Sequence, residues 1–103
     1  MVIRIAYSAD ATNDLKSIFN YINRDSNKFA KLEVSKIRAF IKSLTIFPLK
    51  GKYYKTVKGR EILSTVFGNY IIFYTITTNQ ILILSIHHHA RLISNNPAFK
   101  DDE

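Results

Sequence analysis

Three consecutive histidines followed closely by an arginine have the clearest chemical potential in this chain. His87, His88 and His89 end an apolar run that begins at Ile81, and Arg91 lies two residues further on. Imidazole titrates near neutral pH and can act as a general acid or base. A guanidinium stays charged and holds phosphate through a planar fork of donors. A strand ending in these groups would deliver an acid–base or anion-binding site to the end of a sheet.

The alternation of a strand divides the three histidines between two faces. His87 and His89 fall on one face and His88 on the other, so at most two of them can share a site. We expect His88 to be a buried, hydrogen-bonded residue at the strand end. His87 and His89 could together bind a metal, but the chain has no Cys, and no Asp or Glu is near them in sequence. We therefore expect no metal and no cofactor.

A second group of candidates precedes or begins another predicted strand. Lys55 and Lys58 lie just before Gly59-Arg60-Glu61. These cations could bind an anionic target, or stabilise the charge that develops during RNA cleavage. The alternative for Arg60 is an ion pair, either with Asp14 or with Glu61 of a neighbour. The resulting target- or anion-binding set is Lys55, Lys58, Arg60, His89 and Arg91, to which a nuclease would add His87 as an acid–base residue.

The net charge of +7 is concentrated in the middle of the chain. Only Glu33 opposes the basic residues of this stretch, which are Lys28, Lys31, Lys36, Arg38, Lys42, Lys50, Lys52, Lys55, Lys58 and Arg60. Such a field favours a polyanionic partner: nucleic acid, a ribosome or an acidic protein segment. Aromatic residues are interleaved with these cations and could stack on bases. We expect that exposed role for Tyr53 and Tyr54, and packing for Tyr70 and Tyr74.

Length and composition limit the class of protein. With 103 residues and 47% hydrophobic residues, the chain fits one globular domain. We assign residues 1–94 to that domain and residues 95–103 to a polar, flexible tail. No apolar run reaches the roughly 18 residues that span a bilayer, and no cysteine is available for disulfides. We expect a cytoplasmic protein without a membrane partner.

The hydrophobic spacing predicts a strand, two helices and then three strands. Residues 2–7 form the first strand, and Ser8 or Asp10 caps a helix whose apolar face includes Leu15 and Ile18. Ser26 caps a second helix that ends before Pro48, and the two helices form an antiparallel hairpin. Val34, Ile37, Ile41 and Leu44 form the apolar face of this second helix.

The region after the helices is predicted as a loop followed by β structure. Residues 48–58 are basic and rich in turn formers, and we interpret them as a connection. Strands follow at residues 60–67, 70–77 and 80–88, with Gly68-Asn69 suited to a type II′ turn. This order predicts an α+β fold, in which a helical hairpin packs on one face of a mostly antiparallel four-stranded sheet.

Short motifs along residues 2–91 then carry a resemblance. They are Ser8-Ala9-x-Ala11-x-x-Asp14-Leu15-x-x-Ile18-x-x-Tyr21-Ile22, Ile41-x-x-Leu44-x-x-Phe47-Pro48-x-x-Gly51, Gly59-Arg60-Glu61, Tyr70-Ile71-Ile72-Phe73-Tyr74, and the run from Ile81 to Arg91. In this order and spacing the chain resembles the RelE/ParE superfamily of toxins from type II toxin–antitoxin systems, and it is most similar to the ParE-like branch.

The resemblance implies a small basic toxin that inhibits an essential target, DNA gyrase, and is neutralised in a hetero-oligomer with an acidic-tailed antitoxin. The alternative is a RelE-like ribosome-dependent endoribonuclease that cleaves mRNA. A third reading is a chain that has lost toxicity and only binds the antitoxin. RelE-like enzymes usually carry a catalytic Tyr or His just beyond the last strand. Here Leu92-Ile93-Ser94 offers neither, which favours the ParE-like reading.

Overall fold

Two helices and five strands make up residues 3–88, the part of the chain that the computed structural model describes. The elements are β1 (Arg4–Tyr7), α1 (Ala9–Asn23), α2 (Asn27–Ser43), a 3-10 turn (Pro48–Lys50), β2 (Lys52–Val57), β3 (Arg60–Phe67), β4 (Tyr70–Ile76) and β5 (Gln80–His88). The strands form one sheet in the order β1-β5-β4-β3-β2. β1 is parallel to β5, and the other neighbours are antiparallel.

Serine caps begin both helices, as the sequence predicts. The Ser8 hydroxyl accepts a hydrogen bond from the Ala11 N–H at 3.0 Å, and Ser26 accepts one from the Phe29 N–H at 3.1 Å. Each bond satisfies one of the backbone donors that have no partner within a helix. The short polar stretch between the helices returns α2 antiparallel along α1.

The helical hairpin covers one face of the sheet, which we call the covered face. Ile37, Ile41 and Leu44 of α2 are fully buried, and they share one core with strand residues that include Ile72 and Ile83. Full burial of such side chains stabilises the fold by about 1.5–3 kcal/mol each. The predicted α+β class and the packing of the hairpin on one sheet face are thus confirmed.

The strand count differs from the prediction, because the segment interpreted as a loop forms strand β2. The sheet therefore has five strands rather than four. β2 lies at the edge, and five of its six residues are exposed. A strand that is exposed on both faces needs no alternation of apolar and polar residues. β2 therefore shows no hydrophobic period by which a strand could be recognised in the sequence. A bulge at Tyr54 interrupts the remaining alternation.

Two tight turns join β2 to β3 and β3 to β4. Lys58 and Gly59 both have positive φ, at 51° and 80°, which is the pattern of a type I′ hairpin turn. Gly68 has a φ of 58°, as predicted for the first central position of a type II′ turn. No helix within residues 3–88 is long and apolar enough to cross a bilayer. The predicted boundary at residue 94 and the tail at 95–103 lie outside the described residues.

Candidate functional site

The two histidines at the end of β5 lie on opposite faces of the sheet. His88 is opposite Tyr70, a core residue, and the two rings meet edge to face with their centroids 5.4 Å apart. It therefore packs at the end of the covered face, but it is only partly buried, whereas the sequence led us to expect a buried residue. His87 is opposite Ile71 and projects from the other side of the sheet, which we call the second face.

An aromatic row crosses the second face beside His87. The Phe73 ring lies with its centroid 5.8 Å from that of His87 and 4.9 Å from that of Tyr54. Phe73 is only 8% exposed, although it is not part of the core that the helical hairpin shares with the covered face. The rings of His87 and Tyr54 contribute to this burial. Tyr54 reaches it because it is the extra residue of the β2 bulge.

Lysines border this aromatic row on the β2 side. The Lys55 ammonium lies 5.4 Å from the centroid of the Tyr54 ring, within the range of a cation–π contact. Lys52 is opposite Ser64, which is in turn opposite Phe73. Rings beside ammonium groups can stack on bases and contact phosphates. The sequence pattern did not indicate Phe73: the turn at Thr78-Asn79 would by itself place it opposite Leu84, and only the β5 bulge moves it opposite Ser85, two residues before His87.

Lys58 and Arg60 lie elsewhere, at the tip of the β2–β3 hairpin, and this corrects the single cationic site suggested by the sequence. Arg60 begins β3, and the β3–β4 register, continued beyond its last pair of Leu63 with Tyr74, places Arg60 level with Thr77. The Thr77 N–H donates to the Gln80 carbonyl at 2.8 Å. His87 is seven residues beyond Gln80 on β5. Allowing for the bulge, that is about 20 Å along the strands. β3 and β5 are both antiparallel to β4, so the start of one and the end of the other lie at opposite ends of the sheet.

Asp14, proposed as an ion-pair partner of Arg60, has a different role. Its Oδ2 accepts a hydrogen bond from the Ile86 N–H at 2.9 Å. The Ser8 hydroxyl donates to the carbonyl of Leu84, the extra residue of the β5 bulge, at 2.9 Å. β1 ends at Tyr7 and does not pair with this part of β5. The side chains of Ser8 and Asp14 form hydrogen bonds with its backbone groups instead. They hold the part of β5 that carries His87.

A buried tyrosine holds the connection that leads from α2 into β2. The Tyr74 hydroxyl donates to the Pro48 carbonyl at 2.8 Å and accepts from the Gly51 N–H at 2.9 Å. Burial raises the pKa of Tyr74, and the Gly51 N–H offsets part of that rise. Burial likewise raises the pKa of Tyr7, against the opposing effect of Arg38. Tyr70 and Tyr74 thus have the packing role predicted for them, and Tyr53 is exposed as expected. Tyr54, for which the same exposed role was predicted, is instead partly buried, because its ring packs against Phe73.

Two of the candidate residues, His89 and Arg91, lie outside the described residues. Of the rest, Lys55 and His87 lie on the second face, whereas Lys58 and Arg60 lie at the hairpin tip. Within residues 3–88, no three His, Cys, Asp or Glu side chains come close enough to hold a metal ion.

Solved structures that share this fold include chains from toxin–antitoxin systems. The chromosomal ParDE system of P. aeruginosa includes a chain that superposes with a TM-score of 0.66 at 19% identity, covering 84% of this chain and 96% of that one. A chain of the RelBE2 toxin–antitoxin complex of Mycobacterium tuberculosis gives 0.63 at 20% identity, covering 85% and 99%. The archaeal RelE–RelB complex of Pyrococcus horikoshii gives 0.64 at 15%, covering 88% and 99%. At these identities the likeness concerns the fold.

The sequence itself matches the family model for the ParE toxin of type II toxin–antitoxin systems, parDE, over residues 5–93. The fold and this match define the class as a toxin of a type II toxin–antitoxin system. The chain belongs to the ParE toxin family, as the resemblance predicted. Among curated proteins, none matches the sequence significantly.

Proposed function

We propose that this protein arrests growth as a ParE-type toxin, by binding DNA gyrase, and that a cognate antitoxin neutralises it. The family match supports the toxin class. The choice of gyrase rather than mRNA as the target goes beyond the family match, and the positions of the candidate nuclease residues support it. Two of the cations that a nuclease could use, Lys58 and Arg60, lie at the hairpin tip, about 20 Å from His87 at the other end of the sheet, and this weighs against the nuclease alternative.

The chemistry of RNA cleavage makes this separation significant. Attack by a 2′-hydroxyl needs a base to accept its proton, an acid to protonate the leaving oxygen and a cation beside the phosphorane. All of these groups must lie within a few ångströms of one phosphate. Lys58 and Arg60 cannot serve a phosphate held at His87. In the proposed function these cations, with Lys55, instead contact an acidic surface of the target enzyme.

A RelE-like ribonuclease remains a second candidate because of the aromatic row. Tyr54, Phe73 and His87 present rings across the second face, with Lys52 and Lys55 at its border. An RNA strand stacked on this row would bring a phosphate to His87 without needing Arg60. In this reading His87 is the acid–base residue, and Lys55 provides charge.

Controlled expression in a bacterial host separates the two candidates. Gyrase poisoning predicts growth arrest with a DNA-damage response and filamentous cells, whereas RNA cleavage predicts an immediate arrest of translation. Replacing both His87 and His89 with alanine should leave toxicity nearly unchanged if the toxin acts by binding. A toxin that stops translation, and loses roughly 10²–10⁴ in rate with that double change, would establish the ribonuclease instead. An inert chain that still binds antitoxin would point to lost toxicity.

A further inference from the structure

Three large apolar side chains stand exposed in the connection between α2 and β2. Ile46 is 71% exposed, Phe47 64% and Leu49 80%. We call these three residues the apolar knuckle. Single exposed apolar residues are common on soluble proteins, but several together mark interaction surfaces.

The backbone of the apolar knuckle is fixed from beneath. The buried Tyr74 hydroxyl holds the Pro48 carbonyl and the Gly51 N–H, on either side of Leu49. Gly51 has no room for a side chain, since a Cβ there would lie 2.6 Å from the Tyr74 hydroxyl. The Ile46 N–H also continues the end of α2 by donating to the Ser43 carbonyl at 3.0 Å. A partner that binds here does not have to order the loop, so the loss of entropy on binding is small.

A groove of about 550 Å³ extends from Leu49 across the neighbouring end of the sheet. Leu63 and Ile76 contribute apolar surface to it, and Arg60, Glu61 and Thr77 contribute polar groups. Leu49 therefore stands both in the exposed knuckle and in the wall of a concave surface. This arrangement suits a partner segment that covers Leu49 and places an apolar side chain in the groove.

The charge around this surface selects the kind of partner. Lys50 lies in the same loop as the apolar knuckle and Arg60 lines the groove, while Lys42 and Lys52 come shortly before and after this loop in sequence. All four side chains are exposed. Glu61 is the acidic residue that lines the groove. A second copy of this chain would bring the same cations against one another in a two-fold interface, and the net charge of +7 would add to that repulsion. The surface is instead complementary to an acidic chain.

From this geometry and charge, we infer that the apolar knuckle and its groove bind an acidic, amphipathic segment of the antitoxin. The inference rests on the proposed function, because it names the place where the neutralising partner docks. Apolar side chains of that segment cover Phe47 and Leu49, and its carboxylates meet the nearby lysines.

Binding measurements with the purified protein encoded by the reading frame adjacent to this gene test the inference. Phe47→Ser combined with Leu49→Ser should weaken its affinity at least tenfold in titration calorimetry. Phe29→Ser is the matched control, because Phe29 is also a phenylalanine exposed by 64% but lies near the start of α2. It should change affinity by less than about twofold. Equal affinity of the double variant and the unaltered chain, or an equal loss in the control, would overturn the inference.

The same partner allows a second measurement without substitutions. Amide hydrogen exchange of residues 46–51 should slow when the complex forms, and unchanged exchange there would also refute the docking site. Slow exchange of residues 46–51 in the isolated chain at every concentration would mean that another segment of the same chain already covers this surface. Slowing that appears only as the isolated chain is concentrated would make a second copy the occupant. If the unaltered chain does not bind the adjacent protein at all, the proposed function fails rather than the docking site.

Discussion

Individual residues show how a small number of side chains fix the shape of this toxin. Tyr74 is fully buried, yet its hydroxyl has both a donor and an acceptor partner in the loop above it. A buried polar group without partners would be destabilising, so this hydroxyl both satisfies and orders the connection. Gly51 is needed for lack of space rather than for conformational freedom, since its φ is −73°.

A double-mutant cycle between these two residues should reveal their coupling. Tyr74→Phe leaves the Gly51 N–H and the Pro48 carbonyl without this partner and should lower the free energy of unfolding by about 1–3 kcal/mol. Gly51→Ala forces a methyl group against the same hydroxyl and should cost about 1–3 kcal/mol. In the Tyr74→Phe background the methyl group no longer meets the hydroxyl, but it still lies 2.8 Å from the Ser64 carbonyl oxygen, so its effect should shrink without vanishing. Urea unfolding measures all three variants, and strictly additive losses would contradict this account.

The pH dependence of stability should also report on Tyr74. Burial raises its pKa in the folded state, so the folded chain keeps the proton after an unfolded tyrosine, with a pKa of about 10, has lost it. This contribution to stability is complete below about pH 10 and is lost as the pH rises through the folded pKa. Tyr74→Phe should therefore flatten the decline in unfolding free energy that begins as the pH rises above about 10. Tyr53→Phe, at an exposed position, should retain the decline, and identical slopes for both variants would contradict the prediction.

At the scale of elements, the start of α1 is joined to the end of β5 by side chains rather than by a longer β1. Ser8 both caps α1 and donates to the Leu84 carbonyl, and Asp14 accepts from the Ile86 N–H. These bonds close an edge of β5 that would otherwise present unpaired backbone groups. The position of His87 on the second face thus depends on the first turns of α1.

A comparison of the two serine caps should separate capping from this second role. Ser26→Ala removes only a helix cap and should cost about 1 kcal/mol. Ser8→Ala removes a cap together with the bond to Leu84, so it should cost about 1 kcal/mol more. Thermal or urea unfolding of both variants gives the difference. Equal losses would show that the bond to Leu84 adds nothing measurable.

The elements that the sequence predicted are those with a strong apolar period or a defined turn. Both helices, their serine caps, strands β3 to β5 and the Gly68 turn followed from such local signals. β2 did not, because an exposed edge strand of lysines has no buried face to impose alternation. The sequence also suggested a single cationic site, and this suggestion failed because it depends on how distant strands are arranged in the sheet. Arg60 and His87 both occupy strand ends, but only the antiparallel path through β4 shows that these ends are opposite.

For the whole molecule, the distribution of charge makes a prediction about how a partner binds. The lysines near the apolar knuckle are exposed, so if the antitoxin segment is acidic, as inferred above, salt should screen their attraction to it. The affinity should fall as sodium chloride rises from about 0.05 to 0.5 M, and it should level off because the apolar contacts are not screened. Calorimetry at several salt concentrations measures this. An affinity independent of salt would contradict the electrostatic part of the account.

The action on gyrase is the central claim, and purified components test it most directly. The protein should inhibit supercoiling by DNA gyrase or trap the enzyme on cleaved DNA, and addition of the antitoxin should reverse the effect. The same preparation should leave mRNA on translating ribosomes intact. Unaffected gyrase, together with cleavage of ribosome-bound mRNA that is lost in His87→Ala, would contradict the account and assign the second face as a ribonuclease site.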